Sequence, residues 1–185
     1  KYNLPATVRV TTHRKNVREL EAISEFLLED IGLPAFSTNS ASHLGLCRQN
    51  AEQVQLTAEE RTLAMETLLR LTKKYNGRIS AQAGPLAEGR GWLKRVDARK
   101  NGVERLPNRG YLTGCGGFMT KMAVRADGVI LPCNLIPGMA LGRINRDDLG
   151  DVWQNHPELN RFRNRRSIPL SDFEYCRDCD YINYC

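Results

Sequence analysis

Cys176-Arg177-Asp178-Cys179-Asp180-Tyr181-Ile182-Asn183-Tyr184-Cys185 carries three cysteines at the spacing C-x2-C-x5-C. A second group lies upstream. Cys115 is followed after twelve intervening residues by Gly128, and after four more by Cys133. Thiolates this close in sequence converge on one point where the backbone turns sharply between them. Soft thiolate ligands select zinc or iron–sulfur clusters. The rest of the chain reads as support for this metal-binding end, or as a path that brings a substrate to it.

Upstream of the cysteines, the patterning is that of an α/β protein. Residues 6–11 alternate and are β-branched, which predicts a strand. A helix over residues 16–30 follows, with Asn16 as its cap and Leu20, Ile23, Phe26, Leu27 and Ile31 on one stripe; Gly32 ends it. Residues 34–38 predict a second strand. Strand, helix and strand make a βαβ unit, hence parallel strands with a right-handed crossover.

Residues 39–55 read as a polar loop at the carboxyl end of that second strand, where α/β folds place ligands. Asn39, Ser40, Ser42 and His43 are therefore substrate-contact candidates. Cys47 has no neighbour at ligand spacing and reads as a half-buried spectator. Thr57-Ala58-Glu59-Glu60 is a capping box opening a helix to about Tyr75, and residues 79–83 predict a third strand.

Residues 84–109 hold four Gly, two Pro and mixed charges, the composition of a linker. Two domains are expected, residues 1–106 and 107–185. In the second, residues 121–125 and 129–132 predict strands joined by Ala126-Asp127-Gly128, because Gly accepts the positive φ of a tight turn. Short helices are expected over 147–155 and 157–166. Asp178 and Asp180 read as turn-capping residues in preference to ligands. Gly114, Gly116 and Gly117 leave backbone amides free to approach a sulfur.

The net charge of +6 comes from 27 Lys plus Arg against 21 Asp plus Glu. The basic residues are spread out, densest over Arg161-Phe162-Arg163-Asn164-Arg165-Arg166, which argues for a solvated face or an anionic ligand over a nucleic-acid groove. No apolar run approaches the ~20 residues of a membrane span. Lys1-Tyr2-Asn3-Leu4-Pro5 is not a signal peptide, so six cysteines suit metal binding in a reducing cytoplasm better than disulfides. Both ends read as cuts through a longer protein.

Together these residues resemble the SPASM domain of radical S-adenosylmethionine enzymes. The resemblance rests on C-x12-G-x4-C followed by C-x2-C-x5-C. It also rests on the hairpin Asp127-Gly128-Val129-Ile130-Leu131-Pro132-Cys133, on Leu141-Gly142-Arg143-Ile144, and on the helix from Leu149 to Trp153. It covers residues 111–185 with high specificity. Residues 1–83 are similar, less specifically, to the end of the partial (β/α) barrel that precedes such a domain.

The resemblance implies auxiliary [4Fe–4S] clusters, the first held by Cys115 and Cys133 and the second by Cys176, Cys179 and Cys185. In the parent enzyme it implies S-adenosylmethionine, an electron donor such as flavodoxin or ferredoxin, and a substrate that is a peptide or a cofactor or haem precursor. Arg143, Arg161, Arg163, Arg165 and Arg166 are candidates to offset cluster charge or hold a peptide.

This sequence also departs from the family. It has no C-x3-C-x2-C, so the radical-generating cluster has no ligands and this stretch alone is not expected to be active. Two four-iron clusters take about eight thiolates and five candidates are present, so weak cluster binding is expected. The alternative reading is a structural zinc module contacting nucleic acid; it needs paired C-x2-C knuckles, and one exists. A disulfide-bonded secreted domain is a third.

Overall fold

The computed structural model describes residues 6–185; Lys1-Tyr2-Asn3-Leu4-Pro5, read as no signal peptide, lies outside the described residues. The chain forms two compact units, one up to Asp97 and one from Ala98 to Cys185. Each is built on its own three-stranded sheet.

In the first unit β1 (Val8–Thr12), β2 (Phe36–Ser40) and β3 (Ile79–Ala81) are parallel and adjacent in that order, with Val8 opposite Phe36 and Phe36 opposite Ile79. The β1–β2 crossover is a helix that opens with a 3-10 turn (Val17–Glu19), continues as α1 (Leu20–Glu25) and widens to a π turn (Phe26–Asp30). Asn16 does not cap it through its side chain. Its Oδ1 accepts from the His13 N–H and its Nδ2 donates to the Thr11 carbonyl, so it ties the helix start to the end of β1.

The segment read as a polar loop is partly ordered. Asn39 and Ser40 belong to β2, and α2 (Gly45–Gln49) and α3 (Ala51–Val54) follow. The capping box is present on α4 (Ala58–Lys74): the Glu60 N–H donates to Thr57 Oγ1 at 3.2 Å, and the Thr57 N–H to Glu60 Oε2 at 3.0 Å. Leu20, Leu68, Leu71, Ile79 and Leu86 are fully buried and form the core between helices and sheet.

Residues 84–109 are not simply a linker. They contain α5 (Pro85–Lys100), sixteen residues long. Low apolar content and glycine hid it, and packing explains the glycine. At Gly89 a Cβ would stand 3.0 Å from the Leu69 side chain, so the missing side chain lets α5 lie close to α4.

In the second unit β4 (Ala123–Val124) and β5 (Val129–Leu131) form the expected antiparallel hairpin, with Gly128 at φ 85°. A third strand, β6 (Gly142–Arg143), pairs with β5. Two helices follow, α6 (Leu149–Asn155) and α7 (Pro157–Arg163), with a 3-10 turn over Asn164–Ser167. Asp148 caps α6, accepting from the Asp151 N–H at 2.7 Å. Ile130, Leu141, Val152 and Leu159 make this unit's core. No helix among the described residues is long and apolar enough to cross a membrane.

Candidate metal centre

Two glycines and a hairpin set the position of the first cysteine pair. Cys115 stands at the start of a 3-10 turn (Gly116–Phe118), whose Gly116 carbonyl accepts from the N–H groups of Met119 and Thr120. Cys133 follows β5 after Pro132. The Asp127-Gly128 turn reverses the chain and delivers Cys133 to the same place. Gly117 is buried between them: a Cβ there would lie 3.4 Å from Cys115 Sγ and 3.7 Å from Cys133 Cβ. An exposed cysteine and a buried one thus flank Gly117. The Cys133 thiol donates to Asn134 Oδ1 at 3.6 Å.

The other three cysteines occupy successive tight turns. The tail begins with α8 (Glu174–Arg177), then the Cys179 N–H donates to the Cys176 carbonyl at 3.2 Å and the Ile182 N–H to the Cys179 carbonyl at 2.9 Å. A 3-10 turn (Ile182–Tyr184) presents Cys185. Two anchors hold this tail. Tyr184 is buried and donates to the Val103 carbonyl at 2.6 Å, and the Leu106 N–H donates to the Asn183 carbonyl at 3.1 Å. Asp180 caps nothing. It pairs with Arg99 at 2.8 Å, and Arg99 also lies over the Tyr181 ring.

All six cysteines are free thiols. Among the described residues no three or more His, Cys, Asp or Glu side chains gather closely enough to hold one ion. The structure therefore brings Cys115 and Cys133 together, and leaves Cys176, Cys179 and Cys185 on neighbouring turns without a convergent set. Cys47 is half-buried on α2 in the first unit.

The other sequence candidates are placed as follows. Asn39 faces the same way along the sheet as Thr11, its register partner, and its Oδ1 is buried without a hydrogen-bond partner. Ser40 ends β2 opposite Thr12. His43 is exposed, with Nδ1 2.9 Å from Gln55 Nε2.

The arginines divide by role. Arg163 is structural: Nε donates to the Phe118 carbonyl at 3.0 Å, Nη1 to the Trp153 carbonyl at 2.6 Å, and the guanidinium lies 4.3 Å over the Trp153 ring. It ties the Cys115 turn to α6 and α7, a role the sequence did not signal. Arg161 pairs with Glu158, and Arg143 donates to the Asp127 carbonyl. Arg125 pairs with Asp127 across the hairpin turn, and this hydrogen bond is the main reason the Asp127 carboxyl is held far below its ordinary value.

The likeness to known proteins falls on these same residues. Residues 115–180 match SPASM, an iron–sulfur cluster-binding domain. The matched residues all lie within the second unit. The match takes in Cys115, Cys133, Cys176 and Cys179 and ends before Cys185. Over 188 aligned residues the chain is 21% identical to a PqqA peptide cyclase of Methylobacterium sp. (strain 4-46), covering 96% of this chain and 42% of that protein. The chain thus spans about two fifths of the length of this curated relative. The resemblance to SPASM-type radical S-adenosylmethionine proteins, drawn from cysteine spacing, is borne out by both comparisons.

Proposed function

We propose that this chain is part of a SPASM-type radical S-adenosylmethionine enzyme that modifies a peptide, and that its second unit holds auxiliary [4Fe–4S] clusters. The observation that carries the reading is the meeting of Cys115 and Cys133 across Gly117, inside the segment that matches the SPASM domain. The donor set is all thiolate, which fits iron–sulfur chemistry, and a side chain at Gly117 would crowd a group bound beside the two cysteines.

Cys115 and Cys133 would hold the first cluster; Cys176, Cys179 and Cys185, which lie on neighbouring turns, would have to be drawn together to hold the second. Such clusters supply electron transfer, at a potential set by charge, hydrogen bonds to sulfur and exposure. Gly116 and Gly117 keep backbone close to the sulfurs, while Arg163 fixes the turn that carries Cys115. The parallel β1-β2-β3 sheet with its crossover helix supports the end of a partial (β/α) barrel for the first unit. Asn39, Ser40 and His43, at or beyond the carboxyl end of β2, would then face a substrate. Peptide as substrate class is favoured by the named activity of the relative; the reducing equivalent would come from a flavodoxin- or ferredoxin-like donor in the cytoplasm.

Anaerobic reconstitution with iron and sulfide tests this. The expected result is a brown protein with iron and sulfide in equal amounts, below the about eight irons of two complete clusters. Colourless protein holding zinc without sulfide would overturn it in favour of a zinc module.

A further inference from the structure

The second unit contains eleven arginines, and eight of them donate a side-chain hydrogen bond within the unit. The three that donate none among the described residues are Arg109, Arg165 and Arg166, and all three line one groove. Arg109 and Arg166 border a hollow of about 560 Å³, and Arg165 and Arg166 border a smaller one that reaches Cys115. The two hollows share Leu112, Gly114 and Arg166 as walls.

Acids are not absent from this unit. They are used elsewhere, on Arg99, Arg125, Arg146 and Arg161. Arg109 and Arg165 are half-buried, and the Arg165 guanidinium lies 5.5 Å from the Phe162 ring centre. Three like charges around two adjoining hollows repel one another, and partial burial strengthens that repulsion. The arrangement is relieved by an anion, and the planar guanidinium fork matches a carboxylate.

Backbone hydrogen bonds tie the groove's wall to the segment around residues 168–170. The Leu112 N–H donates to the Ile168 carbonyl and the Leu170 N–H to the Gly110 carbonyl, both at 2.9 Å. Tyr111 adds a ring that is 38% exposed and has no use for a bare inorganic anion. A nucleic acid fits less well. The unit's lysines are Lys100 and Lys121 alone, neither lines the groove, and so no longer cationic strip continues from it for a phosphate backbone to follow.

We propose that this groove docks an acidic stretch of peptide, its carboxylates taken by Arg109, Arg165 and Arg166 and its backbone laid along Tyr111 and Leu112 towards Cys115. The proposal deepens the peptide-modifying reading and rests on it for the identity of the ligand as substrate.

The test titrates the chain with a short blocked peptide alternating Glu and Ala, and with its Gln counterpart, by calorimetry at about 50 and about 300 mM salt. The Glu peptide should bind, should weaken as salt rises, and should bind at least about tenfold more tightly than the Gln peptide. The triple variant R109Q/R165Q/R166Q should lose at least about tenfold in affinity while its circular dichroism and iron uptake stay at the parent level, and Arg146→Gln should bind as the parent does. Equal binding of the two peptides, parental affinity in the triple variant, or tighter binding of a short DNA duplex at the same salt would each overturn the proposal. Iron uptake without peptide discrimination sinks the groove inference alone. Discrimination without iron or sulfide upholds the groove and sinks the cluster reading.

Discussion

Cys115 Sγ and Cys133 Cβ both lie beside Gly117, 3.4 and 3.7 Å from the position a Cβ would take there. Gly117 has no positive φ, so Gly117→Ala is not a backbone problem. In the metal-free chain the new methyl makes ordinary contacts. With a group bound between the sulfurs it would stand in the way. Gly117→Ala should therefore leave the metal-free melting temperature within about a degree of the parent and lower the iron and sulfide retained by at least about twofold. Unchanged iron content in this variant would mean that no group is held between these two cysteines.

Arg163 joins two carbonyls from separate segments, those of Phe118 and Trp153, and its Nη2 is buried with no partner among the described residues. Replacing it by Met keeps the stem over the Trp153 ring and abandons both carbonyls. Arg163→Met should cost about 1–3 kcal/mol in urea denaturation. Arg161→Met, which gives up an exposed pair with Glu158 and a contact 4.6 Å over the Phe162 ring, should cost under about 1 kcal/mol. Equal losses would remove the distinction between clamp and surface pair.

Gly84 stands at φ 81°, and a Cβ there would meet the Ser40 nitrogen at 2.8 Å and the Asn39 carbonyl carbon at 3.0 Å. Backbone cannot step aside as a flexible side chain can. Gly84→Ala should destabilise the chain by about 2 kcal/mol or more, combining left-handed strain with the clash. Gly77 has nearly the same φ, 79°, but open space around it, so Gly77→Ala isolates the strain and should cost about 1 kcal/mol. Chemical denaturation of the two variants side by side reads the difference, and Gly77→Ala matching Gly84→Ala would show that the close approach to β2 does not matter.

What could be read from the sequence was local. The Asp127-Gly128 turn, the Thr57–Glu60 capping box and the short helix within residues 147–155 depend on neighbours close in sequence, and each is found. The cysteine spacing pointed to the SPASM domain for the same reason. What depended on distant packing was missed. α5 was hidden because Gly89 looks like a helix breaker until Leu69 is seen against it. Arg163 looked like one more surface cation in a basic run, although neighbouring arginines of the same run differ in kind: Arg163 is a clamp, Arg161 is paired, and Arg165 and Arg166 line a groove. The convergence expected of Cys176, Cys179 and Cys185 has no counterpart in the tail, where each sulfur is carried on its own turn.

The hairpin that positions Cys133 carries a titratable latch. The Asp127 carboxyl accepts from Arg125, which is the largest effect lowering its pKa; the Val129 N–H and the charges of Arg125 and Arg143 act in the same direction, while desolvation opposes them. A carboxyl whose pKa is lower in the folded chain than its unfolded value of about 3.9 binds protons more readily when unfolded. Its contribution to stability is therefore fully present above that value and is lost as the pH falls towards the folded one. Asp127→Asn should melt below the parent at neutral pH, and the gap should narrow steadily once the pH drops under about 4. Added salt should narrow it as well, because the pair is solvent-exposed. Thermal melts followed by circular dichroism across the acid range decide the matter: a gap of constant size from neutral pH down to about pH 2.5 would show that the Arg125–Asp127 pair does not hold the turn.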